Sequence, residues 1–236
     1  MNVTSKNKRK QETSFKTSPD SHRRIQDFYG RDFIVTPDVL IPRPETEQMI
    51  DAVLNLVGKP YLPGVKPSPA KISPHHLKIL DVGTGSGCIA ITLQLELPEA
   101  KVTASDISLA ALKIAQKNAT KHGLTLPFII SNLLENVKFT PDLIAANLPY
   151  VDPDWDWLDK TALSQEPAIA LYAKNHGLAL VLKLLTQAKK RHVKYLILEA
   201  DPCQHVSITA FAKKQGYSLL ETRGFILTLY SPQVHP

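Results

Sequence analysis

The 236-residue sequence has no apolar run approaching the roughly 18 residues a membrane-spanning helix needs, and its best candidate, Gly177 to Leu185, is interrupted by Lys183. It has only two cysteines, Cys88 and Cys203, too few for a disulfide framework and in keeping with a reducing compartment. The basic amino-terminal stretch carries no apolar core of the kind a secretory signal requires. His75, His76, His122, His176, His192 and His205 show no metal-ligand spacing and no partnering cysteine cluster, so no metal site is expected. These absences lead us to expect a cytoplasmic protein without a membrane segment. What is present, 43% hydrophobic and 21% charged residues, is a globular composition, and the length suits one α/β domain.

Positive charge is concentrated at one end. Residues 1–31 hold eight Lys and Arg against three acids, and so account for five of the six net positive charges. The body is close to neutral, which weakens any reading of it as a nucleic-acid-binding surface. Residues 1–27, rich in Ser, Thr, Lys and Asn, are expected to form a disordered basic tail. A solubilising end is the plainer role for it, and a weak RNA contact is the alternative. Residues 28–236 are expected to form the domain, with a Pro-rich loop over 58–76 where Pro60, Pro63, Pro67, Pro69 and Pro74 preclude regular structure.

After an extended segment from Asp32 to Leu40, apolar residues at helical spacing predict an amphipathic helix over Glu45 to Val57. From Leu77 strands and helices alternate. Strands are expected at Lys78–Val82, Lys101–Ser105, Leu126–Ser131, Asp142–Ala146 and Tyr195–Glu199. Helices are expected at Gly87–Leu97, Ser108–His122, Gly177–His192 and Cys203–Gln215. Two last strands, Tyr217–Glu221 and Phe225–Tyr230, are joined by three residues, and so short a link forces an antiparallel pair. The fold class is therefore α/β, a mostly parallel doubly wound sheet ending in an antiparallel hairpin.

Two motifs carry chemistry. Asp81-Val82-Gly83-Thr84-Gly85-Ser86-Gly87 follows a strand and opens a helix, where glycines let a ligand lie against main-chain atoms. A dinucleotide fingerprint would place its third glycine at position 88, which is Cys88, so a pyrophosphate ligand is disfavoured. The next strand ends at Asp106, where a carboxylate can accept from ribose hydroxyls. The second motif, Asn147-Leu148-Pro149-Tyr150, ends the fourth strand. It offers a side-chain amide, carbonyls on a stiffened turn and an aromatic face, a clamp for a planar amide or amidine nitrogen.

The glycine loop with its acid resembles class I S-adenosylmethionine-dependent methyltransferases, whose Rossmann-like fold also ends in an antiparallel hairpin. The resemblance implies S-adenosylmethionine as cofactor, cradled by Gly83, Thr84, Gly85, Ser86 and Gly87, with Asp106 on the ribose. It also places Asn132, where the family has an acid, and Leu133 at the adenine, and Asn147 beside the methyl group. The Asn147–Tyr150 tetrapeptide resembles the signature of methyltransferases acting on planar nitrogens, either glutamine side chains or adenine N6 of RNA or DNA. Val39-Leu40-Ile41-Pro42-Arg43-Pro44-Glu45-Thr46-Glu47 resembles the corresponding segment of the HemK/PrmC release factor glutamine N5-methyltransferases. Tyr29–Phe33, Glu166–Leu171 and Leu198-Glu199 with Gln204 are similar to further segments of that family.

The implied activity is transfer of a methyl group to the glutamine of the Gly-Gly-Gln loop of peptide chain release factors, with an adenine N6-methyltransferase as the alternative. Asn147 and Tyr150 would then be catalytic, and Asn147, Leu148, Pro149, Tyr150 and Glu166 would bind substrate. Family members carry an amino-terminal helical domain for docking the factor, and a basic stretch of about 30 residues is expected to stand in its place. Trp155 and Trp157, in the segment from Val151 to Asn175, are expected to line the substrate groove.

Overall fold

The computed structural model describes residues 16–17, 24–59, 72–156, 158 and 166–232. Strand β4 (Lys78–Val82), a run of apolar residues around Asp81, is covered on both faces and pairs in parallel with β5 (Lys101–Asp106) and β7 (Leu143–Ala146). Strand β6 (Phe128–Ile130) extends the sheet beyond β5, and β8 (Tyr195–Glu199) extends it beyond β7, both in parallel. The sheet then reverses direction: β10 (Ile226–Tyr230) pairs antiparallel with β8, and β9 (Ser218–Arg223) closes the edge, giving the order β6-β5-β4-β7-β8-β10-β9. The expected hairpin and the expected parallel strands are thus in place.

Helices cover both faces. On one lie α1 (Glu47–Leu56), α2 (Cys88–Glu96) and α3 (Leu109–Lys121), whose buried Met49, Ile50, Val53, Ile89, Ile91 and Leu93 pack on Ile79, Val102 and Leu143. On the other lie α5 (Ala179–Lys190) and α6 (His205–Lys214), where Val181, Leu184, Leu185 and Ile208 meet Leu80, Ile144 and Leu196. A single-turn helix α4 (Ala168–Leu171) precedes α5. Alternate residues of each central strand face opposite layers, which is why these strands read as nearly continuous apolar runs. The expected start of α3 holds: the Ser108 hydroxyl accepts the Ala111 N–H (3.2 Å) as its cap. The helix expected over 45–57 begins instead as a 3-10 turn, Pro44–Thr46. None of the described helices is long and apolar enough to cross a membrane.

The amino-terminal boundary needs correction. Strand β2 (Arg24–Phe28) pairs antiparallel with β3 (Arg31–Val35), and β1 (Lys16–Thr17) pairs with β2, so part of the stretch expected to be a tail is ordered. The basic residues around it mask the apolar pair Ile25 and Phe28, of which Phe28 is fully buried edge-to-face against Phe33. The two strands turn through Tyr29 and Gly30, both at positive φ, the backbone that suits a tight hairpin. Tyr29 is held there by two acids of α1: its N–H donates to Glu47 (2.8 Å) and its hydroxyl to Asp51 (2.9 Å). The rest of the expected tail, and the prolines at 60–71, lie outside the described residues.

Asn118 of α3 fastens this hairpin to the body. Its Nδ2 donates to the carbonyls of Ile34 (2.9 Å) and Ser86 (2.8 Å), and its Oδ1 accepts the Ile34 N–H (2.8 Å). Asn118→Ala leaves those three buried main-chain groups without partners, so we expect a loss of about 2–4 kcal/mol, read by denaturant unfolding. A loss below about 0.5 kcal/mol would contradict the role.

Candidate active site

Strands β4, β5 and β7 all end at the same edge of the sheet, and the loops leaving them converge on a cavity of about 280 Å³. The walls are mainly apolar, with Val39, Leu40 and Pro42 on one side and Ile107, Leu133, Leu148 and Ile169 on others. Thr46, Asp106, Ser131, Asn132 and Asn147 supply polar groups. A mostly apolar cleft with a few convergent polar groups is the usual form of a small-molecule site.

The glycine loop is held from below. The Gly83 and Thr84 N–H groups both donate to the Ser105 carbonyl (2.8 and 2.9 Å), and the Thr84 hydroxyl donates to Asp81 Oδ2 (2.6 Å). Gly83 has a φ of +76°, and a methyl group there would meet Leu148 Cδ2 at 3.1 Å. Glycine therefore lets the cofactor loop and the Asn147–Tyr150 turn approach each other. Thr84 and Ser86, though they line the cavity, are buried, and the Thr84 side chain serves the loop itself.

Asp106 ends β5 where the sequence places it. Its Oδ2 accepts the Gly85 N–H (2.9 Å) and its Oδ1 the Ser108 N–H (2.8 Å), which fixes the carboxyl at the cavity. Burial raises its pKa, and the two N–H groups pull the other way. Each oxygen keeps a lone pair for a ligand hydroxyl. We expect Asp106→Ala to weaken S-adenosylmethionine binding by about 10- to 100-fold, measured calorimetrically, and to cost about 1–3 kcal/mol of stability as the Gly85 and Ser108 N–H groups lose their acceptor.

Asp81, under the loop, is fully buried. Burial pushes its carboxyl up to about 7 against the Thr84 and Ala90 hydrogen bonds, and its Oδ1 has no partner. Asn132 lines the cavity and donates through Nδ2 to Glu135 (3.1 Å), which leaves its oxygen available to an amine. Leu133 lines it too, at a φ of +53°, with its carbonyl held by the Ser131 hydroxyl (2.8 Å).

Asn147, Leu148 and Pro149 line the cavity, whereas Tyr150 and Glu166 do not. Asn147 Nδ2 donates to the Thr46 hydroxyl (3.1 Å), and Asn147 Oδ1 takes no hydrogen bond from the described residues. Tyr150 turns behind the wall, where its hydroxyl donates to Glu199 (3.1 Å) and its carbonyl accepts from Gln204 Nε2 (2.8 Å). Burial and the Glu199 charge raise the pKa of that hydroxyl. Glu166 is spent within the chain. One oxygen pairs with Arg43 and the other accepts the Ile41 N–H (2.9 Å), and only 4% of the side chain is exposed. It ties the segment before α1 to the segment before α4, which together bring Pro42 and Ile169 to the cavity mouth. Trp155 sits in a turn, its N–H donating to the Asp152 carbonyl (3.2 Å), and Trp157 lies outside the described residues.

Fold and site together define a class I S-adenosylmethionine-dependent methyltransferase. Comparison with known proteins agrees: residues 69–162 match the model of the methyltransferase small domain. A 16S ribosomal RNA methyltransferase of T. thermophilus, in complex with AdoMet and guanosine, superposes with a TM-score of 0.59 at 16% identity, over 89% of this chain and 49% of that one. The release factor glutamine methyltransferase of Neisseria gonorrhoeae is 35% identical over 84% of this chain and 68% of its own length. That of Koribacter versatilis is 42% identical over 77% of this chain and 63% of its own. The chain belongs to the release factor glutamine methyltransferase family. It spans less than two thirds of the length of the K. versatilis relative.

Proposed function

We propose that the protein transfers a methyl group from S-adenosylmethionine to the side-chain nitrogen of a glutamine, in the Gly-Gly-Gln loop of peptide chain release factors. The observation that carries the reading is Asn147: its nitrogen is engaged by Thr46, and its oxygen is left as an acceptor at the cavity, one loop away from Gly83. The cofactor supplies a methyl group on a sulfonium, a good leaving group. Asn147 Oδ1 and the Leu148 carbonyl accept the two N–H bonds of the glutamine amide, so its nitrogen faces the cofactor side of the cavity. As the N–CH3 bond forms and the S–CH3 bond breaks, the nitrogen sheds one proton to solvent, so orientation accounts for most of the catalysis and no strong general base is needed. Tyr150 serves from behind the wall, through the turn that carries Asn147, and Glu166 through its pair with Arg43.

The substrate implies a cytoplasmic site of action. The basic residues of the tail would add at most a weak, salt-dependent contact to RNA. The reading is tested by methyl transfer from labelled S-adenosylmethionine to a purified release factor, beside a factor whose loop carries Gln→Ala, and ribosomal RNA. Label confined to the intact factor is expected. Label on RNA would instead assign the Asn147 clamp to adenine.

A further inference from the structure

Beside the Asn147 amide lie two groups that touch no substrate atom in the methyl-transfer scheme: Thr46, which also lines the cavity, and Glu199, which does not. Thr46, from the 3-10 turn at Pro44–Thr46, is only 2% exposed and accepts the Asn147 Nδ2–H bond (3.1 Å). Glu199, the last residue of β8, is buried, with Oε1 taken by the Tyr150 hydroxyl (3.1 Å) and Oε2 without a hydrogen-bonded partner.

Resting on the glutamine reading above, we propose that Thr46 and Glu199 are positioning residues that set the sense of the Asn147 amide, holding its nitrogen inward and its oxygen toward the substrate. An asparagine amide has nearly the same shape either way round, so packing alone does not choose between the two senses. The choice matters, because a nitrogen facing the cavity would donate toward the N–H groups of a substrate amide and repel them. In its ionised form, which the Thr46, Tyr150 and Asn147 hydrogen bonds favour against burial, the Glu199 carboxylate accepts and never donates, so it favours the positive NH2 end of Asn147 and disfavours its oxygen. The Thr46 hydroxyl can donate or accept, and because its own proton faces Glu199 it meets Asn147 as an acceptor, which supports the same sense.

The ionisation of Glu199 reflects this surrounding. Burial raises its carboxyl to about 7, and the charge of Glu45 adds to the rise. Thr46, Tyr150 and Asn147 all bias it the other way, the Tyr150 hydroxyl through a completed hydrogen bond. A buried carboxyl with an open oxygen is a poor stabilising device, since a neutral isostere avoids the cost of burying charge. Its cost to the fold is consistent with service to the site.

The test compares wild type, Thr46→Val, Thr46→Ser and Glu199→Gln as full-length chains. Thr46→Val and Glu199→Gln are each expected to lower kcat on a purified release factor at least 10-fold, on the scale of a lost orienting hydrogen bond. Calorimetric affinity for S-adenosylmethionine should hold within about twofold, Thr46→Ser should restore kcat to within about threefold, and Glu199→Gln should keep or raise Tm. A merely structural role gives the opposite pattern, a lower Tm and weaker cofactor binding. Solvent exchange of the Asn147 side-chain NH2, assigned by its disappearance in Asn147→Ala, should quicken at least 10-fold in Thr46→Val. Both variants keeping kcat within twofold of wild type, or an unchanged NH2 exchange, overturns the inference. A wild-type enzyme inactive on every release factor overturns the glutamine reading instead, and the NH2 exchange still decides the orientation.

Discussion

Asn147→Ala is expected to lower methyl transfer to a release factor by about 100- to 1,000-fold. Alanine leaves the Leu148 carbonyl in place but removes the acceptor whose inward side is fixed by Thr46. One N–H of the substrate amide then enters a largely apolar cavity unpaired, at a cost of about 1–3 kcal/mol. The rest of the loss comes from orientation, since a nitrogen free to swing spends less time in line with the methyl group. The affinity for S-adenosylmethionine should change little, because Asp106 and the glycine loop are untouched. Single-turnover rates and calorimetry on the same preparation separate the two. An alanine variant that keeps more than about a tenth of the wild-type rate would remove Asn147 from the chemistry.

Gly177→Ala is expected to be among the most damaging single substitutions in the chain. Gly177 lies at a φ of +78°, and a methyl group there would fall 1.9 Å from the Tyr150 carbonyl oxygen and 2.4 Å from Gln204 Nε2. Neither neighbour can retreat cheaply. The Gln204 amide bridges the carbonyls of Tyr150 and His176 (both 2.8 Å), and the Tyr150 carbonyl belongs to the turn that presents Asn147. Positive φ alone costs an alanine roughly 1–2 kcal/mol. The overlap adds a displacement of main chain, and we expect a total of about 3–5 kcal/mol together with loss of activity. Gly123→Ala is the control. Gly123 has a φ of +71° and open space around its Cα, so it bears the backbone cost without the collision. Equal destabilisation of the two variants would show that the crowding at Gly177 is relieved at no cost.

The parts of the site legible in the sequence are those written in contiguous residues. The glycine loop, Asp106 and Asn147–Pro149 each sit at the end of a strand that its own apolar run announces, and strand ends in a parallel sheet meet at one edge. The parts that were not legible depend on distant contacts. Glu166 has the segment expected of a substrate ligand, yet its partners are Ile41 and Arg43, more than 120 positions earlier. Asn118 shows only as a polar residue in an amphipathic helix, and nothing local announces that it joins Ile34 to Ser86. Thr46 and Glu199 stand in segments that drew attention as resemblances, but only their meeting beside Asn147 gives them a task. The amino-terminal strand was obscured for another reason: a high local charge outweighed two apolar residues whose pairing strand lies beyond a tight turn.

The placement of β10 has a bearing on how the chain is made. It is the last of the described strands in chain order, yet it lies inside the sheet, between β8 and β9. Until residues 226–230 have emerged during synthesis, the side of β8 that they occupy presents unpaired main chain flanked by Leu196, Ile197 and Leu198, all buried in the finished protein. An open apolar edge of this kind is a template for pairing with other chains. The β4–β7 portion can assemble early as polypeptide elongates, whereas β8, and with it Glu199, waits on residues 226–230. Nascent chains stalled before position 226 should therefore be the aggregation-prone species, and the ones that need a chaperone.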